Sequence, residues 1–233
     1  MLIKENSFEL TAESLLATKN RHCNGACDFL QKTASVESVA FFEDLQAKPD
    51  HIYLLVVAMT AGEFYGANRN GDYFKQKDLI TYYEIFNTAG VFWNHDNKDK
   101  SRASGRVVKS FWNEVMHRIE LVIEMPQEKA RYVPEHIEKG LPIRVSMGLS
   151  TPTESCSICG HVTRGSYNNR CEHLKYSMNT ILGDGRKVYA VSGTPYKIFD
   201  ISIISGTQAD KVAFSMLSKT ASTKGKGELY DLR

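Results

Sequence analysis

Three residues, met in order along the chain, could together carry acyl-transfer chemistry: His95 in GVFWNHDN, Ser146 in LPIRVSMGLS about fifty residues on, and Asp200 in KIFDISIIS. A serine hydroxyl is a weak nucleophile until a neighbouring base takes its proton. Histidine titrates nearest neutrality, so His95 could take that proton and return it to a leaving amine. A carboxylate such as Asp200 would hold the imidazole tautomer and stabilise the imidazolium. The tetrahedral intermediate also needs donors at its oxyanion, for which Arg144 and the backbone amides around Met147 are candidates. Each residue has a plainer use. A lone strand serine usually fills a half-buried face, and an Asn-His-Asp-Asn loop can be a solvated turn. Asp200, flanked by Phe199 and Ile201, must face solvent or find a partner, because burying an unpaired charge is costly.

A second chemistry is written in Cys156-Ser-Ile-Cys159 followed by Cys171-Glu-His173, two short pairs with eleven residues between them. Three thiolates and one imidazole fill a tetrahedral structural zinc site and leave no open position for catalysis. His161 is near enough to stand in for His173, but its place directly after Gly160 makes it a neighbour of the site. Arg164, Arg170 and Lys175 in this loop could make a zinc-dependent nucleic-acid contact, though so sparse a set is more often a solvated loop. The Asn68-Arg-Asn-Gly-Asp72 segment superficially resembles a calcium loop, but it lacks the distal acidic residue and the flanking helices of one. It reads as a tight turn.

The elements that must position these groups follow from periodicity. IYLLVVAM at 52–59 is the first strong strand. Leu79, Tyr83 and Phe86 share a helical face in KQKDLITYYEIFNTAG, with Gly90 at its stop. RVVKSFW at 106–112 and HRIELVIEM at 117–125 form a hairpin. PEHIEKG at 134–140 is a short helix with Pro in its first turn and Gly past its end, leading straight into the Ser146 strand. KVYAVSG and KIFDISIIS are strands. TQADKVAFSMLSK reads as a helix, with Ala209, Val212, Ala213 and Met216 along one side, and SFELTAESLLATK at 7–19 as another. The last dozen residues read as a mobile tail. Fold class is thus α+β, mainly β, with a closed or orthogonally packed, mostly antiparallel sheet, peripheral helices and a zinc-stapled loop.

Composition leaves room for this. A chain of 233 residues, 42% hydrophobic, can bury one sizeable core. Twenty-nine basic against twenty-seven acidic residues make no general electrostatic case for nucleic acid. No run of about eighteen apolar residues suits a membrane span, and the N-terminus lacks the pattern of a secretory signal, so a soluble intracellular protein is expected. Cysteines clustered with a histidine favour metal over disulfides.

Taken in order, FWNHDN, SRASGRVV, VSMGL and FDISIIS resemble the tailed-phage prohead maturation proteases, which share a fold with herpesvirus assemblin; the resemblance covers roughly residues 38–217. It implies a serine endopeptidase with Ser146 as nucleophile, His95 as base and Asp200 as the orienting acid. It also implies phage scaffold and major capsid proteins as substrates, room for a homodimer, and a location inside the assembling prohead in the host cytoplasm. In the assemblin relatives the third member is a histidine, which keeps His117 open. The segments FLQKTAS at 29–35 and MLSKTAS at 216–222 share Leu-x-Lys-Thr-Ala-Ser. Since assemblin-type enzymes cut Ala-Ser bonds, Ala34-Ser35 and Ala221-Ser222 are candidate self-cleavage sites. They divide the chain into a propeptide-like segment 1–35, a protease domain 36–221 with its zinc loop at 154–176, and a tail 222–233. The alternative is a non-catalytic, zinc-stabilised scaffold or nucleic-acid-binding head protein, in which Ser146 and His95 are structural; a metal-dependent hydrolase is a third option.

Overall fold

The computed structural model describes residues 33–164 and 167–221. The expected helix at 7–19, Cys23, Cys27, Ser222 and the tail lie outside them. The described chain runs α1 (Val36–Asp44), β1 (His51–Thr60), α2 (Gly62–Tyr65), β2 (Asp72–Tyr73) and α3 (Gln76–Tyr82), which tightens into a 3-10 turn at Tyr83–Thr88. It continues through β3 (Gly90–Trp93), β4 (Gly105–Asn113), β5 (Arg118–Pro126), α4 (Val133–Glu138), β6 (Val145–Ser150), β7 (Glu154–Cys156) and β8 (Val162–Thr163). The last elements are α5 (Glu172–Tyr176), β9 (Ala190–Ser192), β10 (Lys197–Ile203) and β11 (Ser215–Thr220).

Seven strands form one sheet in the order β11-β1-β5-β4-β3-β10-β6, antiparallel except for the parallel β3–β10 pair. The sheet curls until its two edges meet at one end. There Arg144 bridges Phe214, Val145 N–H donates to Ala213 C=O, and Ser215 N–H donates to Ile143 C=O. The concave face holds the main core, in which Ile119, Leu121 and Ile123 of β5, Val145 and Met147 of β6, and Ile201 and Ile203 of β10 pack together. On the opposite face α1 lays Phe42 over Tyr53, Leu55, Val57 and Val122, making a second, smaller core. The fold is therefore mainly β with peripheral helices, as the strand periodicities imply. A separate four-stranded sheet, β2-β9-β7-β8, carries the Cys/His loop and its own small core of Cys156, Leu174, Val188 and Ala190.

One expected element is wrong. Residues 207–219 do not form a helix; they make a turn and then β11, paired with β1 in the register Leu217↔Leu55 and Thr220↔Ile52. The i, i+4 spacing of Val212 and Met216 serves the second core, while Ala213 points into the main one. Asp210 holds the turn, its carboxylate accepting from Thr60 N–H at 2.8 Å, Thr60 Oγ at 2.6 Å and Val212 N–H at 3.2 Å. Without β11 the backbone polar groups on that side of β1 would be buried unpaired, a cost that exceeds the small helix propensity of the segment.

Candidate active site and metal centre

The site forms where β3, β10 and β6 lie side by side, on the face of the sheet opposite the main core. In β10 a bulge at Phe199 separates Ile198, which pairs with Leu149, from Asp200, which pairs with Gly148. An inserted residue reverses the alternation of faces. Ile198 therefore packs with Ile201 and Ile203 against the core, while Asp200 and Ser202 face the other way. Ser146 stands directly across the ladder from Ser202, so the two serines share that face, with Cβ atoms about 5 Å apart.

His95 reaches this face from the turn after β3. Asn94 and His95 both adopt left-handed backbone, with φ of 48° and 60°, a conformation non-glycine residues hold only when their surroundings enforce it. Here Asn94 N–H donates to Ile203 C=O at 3.0 Å, Asn94 Oδ1 accepts from Ser205 N–H at 2.9 Å, and His95 N–H donates to Ser202 Oγ at 3.1 Å. The turn is thus fastened to the end of β10 and folds back over Asp200. His95 Nδ1 lies 3.1 Å from Asp200 Oδ2, and Asn97 Nδ2 donates to Asp200 Oδ1 at 2.7 Å. The Ser202 hydroxyl donates to Oδ2 as well. Asp200 is completely buried, whereas the His95 side chain keeps 41% of its exposure. Burial alone would raise the Asp200 pKa, but the hydrogen bonds from His95, Ser202 and Asn97 outweigh it and hold the carboxyl below its ordinary value. An ionised Asp200 accepts a hydrogen bond from Nδ1–H and so leaves the Nε2 lone pair of His95 free to act as a base.

Ser146 is 4% exposed. Among the described residues its hydroxyl makes no hydrogen bond to His95, so histidine and acid are assembled and the serine stands on the neighbouring strand of the same face. Val145 N–H points away from β10, toward Ala213, and strand alternation sends the amides of Met147 and Leu149 the same way, out of the open edge of β6. That edge borders a cavity of about 460 Å³, lined by Met147–Thr151 on one side and by Asp72, Glu154, Tyr167 and Arg170 of the second sheet and its loop on the other. The Arg144 side chain is exposed at the start of the strand.

His117 is not part of this arrangement. It lies in the β4–β5 turn with φ 48°, its ring stacked on Phe64 at 3.3 Å between centroids, and burial lowers its pKa. Asn97 and Ser202 are contributors that sequence reasoning missed. Ser202 had a usable signal, because residues i and i+2 of a strand share a face; Asn97 had none beyond lying two residues after His95.

In the second sheet, Cys156, Cys159, Cys171 and His173 bring one ligand atom each to within 4.8 Å of one another and could hold a metal ion. The Cys156–Cys159 turn is built for this: Gly160 takes φ 70°, its N–H donates to Cys156 C=O at 2.9 Å, and Ile158 N–H donates to Cys156 Sγ at 3.4 Å. Hydrogen bonds from the His161 backbone and then the His173 ring push the Cys159 thiol down to about 6, toward the thiolate a metal requires. The His161 ring instead bonds Asn169 C=O at 2.8 Å, outside the cluster. Arg170 is taken up by Glu154 through two 2.8 Å hydrogen bonds and is not offered to phosphates. The Asn68–Asp72 segment is a turn, with Asn68 Oδ1 accepting from Asn70 N–H and Asp72 N–H at 2.9 and 3.0 Å.

Neither a family model nor a curated protein matches the chain. Among solved structures, that of the bacteriophage T4 capsid assembly protease gp21 is similar at a TM-score of 0.38 and 14% identity, covering 70% of this chain and 90% of that one. Among the described residues no helix is long and apolar enough to cross a membrane.

Proposed function

We propose that the protein is a serine endopeptidase of the prohead maturation type, with Ser146 as nucleophile, His95 as general base and acid, and Asp200 as the group that orients the imidazole. The carrying observation is the 3.1 Å contact from His95 Nδ1 to a buried, triply hydrogen-bonded Asp200, on the face of the sheet where Ser146 stands. In this reading the Met147 amide, pointing out of the open edge beside Ser146, stabilises the oxyanion better than exposed Arg144 could, because its direction is fixed by the strand. The cavity along that edge takes the substrate chain. The missing Ser146–His95 hydrogen bond forms on substrate binding, as such bonds often tighten only in the complex.

The order of motifs supports phage scaffold and major capsid proteins as substrates, the assembling prohead in the host cytoplasm as the location, and self-cleavage at Ala34-Ser35 and Ala221-Ser222. The Cys₃His cluster holds one structural zinc, since mixed thiolate and imidazole donors at tetrahedral spacing suit that ion. It stiffens the outer wall of the cavity and takes no part in the chemistry.

Intact-mass analysis of the wild-type chain and of Ser146→Ala, together with labelling by a serine-reactive phosphonate, tests the reading. Trimming and labelling of wild type alone are expected. The absence of a Ser146–His95 hydrogen bond favours the competing reading of a non-catalytic zinc-stabilised head protein, which takes over if neither chain is labelled or trimmed when the scaffold and capsid proteins are supplied.

A further inference from the structure

At the end of the barrel away from His95, the backbone around the candidate Ala34–Ser35 cleavage bond is fastened to a fully buried carboxylate. Glu120 of β5 spends one oxygen on Asn113 Nδ2 at 2.8 Å and on Arg118 Nε at 2.9 Å. Its other oxygen accepts from Ser38 Oγ at 2.6 Å and from the Ser35 backbone N–H at 3.0 Å. Just before the bond, Thr33 C=O accepts from Asn113 Nδ2 at 2.8 Å and Arg118 Nη2 at 3.1 Å. Ser35 is also the N-cap of α1, its side chain accepting from Ser38 N–H at 3.1 Å. Hydrolysis adds water across the Ala34–Ser35 amide, breaking the C–N bond. The carboxylate goes to Ala34, and the nitrogen leaves on Ser35 as an amine that is protonated at neutral pH.

We propose that the Ser35 ammonium created by this cut remains on Glu120, converting an amide hydrogen bond into a buried ion pair that locks the new N-terminus to the barrel. This rests on the self-cleavage reading above. Before the cut, Thr33 through Ser35 must leave Asn113, Arg118 and Glu120 to lie extended in a protease cleft. Afterwards the Ser35 side returns with a full charge at the position the N–H held, and α1 stays docked. The charged groups that touch that position are Arg118 and Glu120 of β5; Glu37 lies in the first turn of α1, and Tyr65 of α2 stands in the fields of Arg118, Asp210 and Glu120. With the ammonium present, two cations, Arg118 and the new N-terminus, share the Glu120 carboxylate.

The test uses the full Ser146→Ala chain, with residues 29–34 replaced by the recognition sequence of an exogenous protease that cuts before serine. Cut and uncut chains are melted from pH 6.5 to 10. An ion-paired α-ammonium has its pKa raised above the ordinary value of about 8, so its contribution is full below that pH and is lost as pH climbs through the raised value. The cut chain is expected to gain Tm on the uncut one at pH 6.5, on the order of 4 °C for a domain of this size, and to lose the gain by pH 10. Glu120→Gln should abolish the pH-dependent difference, and if that variant does not fold, acetylating the new N-terminus of the cut chain should do the same. Parallel pH profiles for cut and uncut chains would overturn the proposal. Because this cut does not use Ser146, a wild-type chain that never trims at Ala34 would sink the self-cleavage reading separately.

Discussion

Gly148 and Asp200 are partners across the β6–β10 ladder, and a Cβ on Gly148 would overlap Oδ1 of Asp200, with Asn97 Nδ2 next at 3.4 Å. The glycine two residues after Ser146 is thus the space into which the acid's carboxylate fits. Gly148→Ala is expected to push Asp200 off Asn97 and His95. Overpacking of this kind costs about 1–3 kcal/mol, and activity should fall by more than stability explains, on the order of a hundredfold in kcat with KM little changed. A Gly148→Ala chain with wild-type kcat would show that the Asp200 carboxylate has no part in the reaction.

Asp200 also sets an acid limb of stability. Its folded pKa is depressed, so the stabilisation it supplies is present above the unfolded carboxylate value near 4 and is lost as pH falls through the lower folded value. Asp200→Asn should therefore lower the melting temperature at pH 7 and shrink the difference from wild type below about pH 4. On the proposed mechanism the same change leaves His95 in the wrong tautomer and lowers kcat on the order of 10⁴-fold. Melting curves that stay equally separated at pH 3 and pH 7 would contradict the assignment.

Metal removal should act on one lobe. Cys156, Leu174, Val188 and Ala190 form a small core distinct from the main one, too small to hold without a cross-link. Elemental analysis is expected to find one zinc per chain. Chelation, or Cys159→Ser, should render residues around 154–190 susceptible to limited proteolysis while the barrel's far-UV signal survives. Full activity after complete metal loss would show that the lobe does not shape the substrate cleft.

Self-cleavage at Ala34-Ser35 should occur between molecules. Gly90 of β3 pairs with Arg106 of β4, whereas the Ser35 anchor sits beside Asn113, seven residues further along β4, about 20 Å at roughly 3.3 Å per residue. The His95 site and the Ser35 bond therefore lie at opposite ends of the barrel. The initial fraction trimmed per unit time should rise in proportion to protein concentration, and wild type should trim the Ser146→Ala chain when the two are mixed. A trimming rate constant independent of dilution would point to an intramolecular cut.

The strands legible in the sequence are those whose periodicity has one explanation. The alternation of Ile119, Leu121 and Ile123 survives folding because only one face of β5 meets the main core, and Cys156, Cys159, Cys171 and His173 announce themselves by residue type and short-range spacing. The segment 207–219 reads as a helix from sequence because Val212, Ala213 and Met216 satisfy a helical period as well as they satisfy two different cores, and only the unpaired edge of β1 decides between them.

The sequence by itself determined which residues could do chemistry, since nucleophile, base, acid and metal ligands are fixed by side-chain type, and local turns such as Asn68–Asp72 and the Cys156–Gly160 knuckle by short-range hydrogen bonds. Only the tertiary structure decided which of them meet. The bulge at Phe199 turns Asp200 away from the core, the left-handed pair Asn94–His95 is held by Ile203, Ser202 and Ser205, and Gly148 clears room for the carboxylate. Each of these depends on contacts between strands about fifty to one hundred residues apart in sequence, and local propensity carries no information about such contacts.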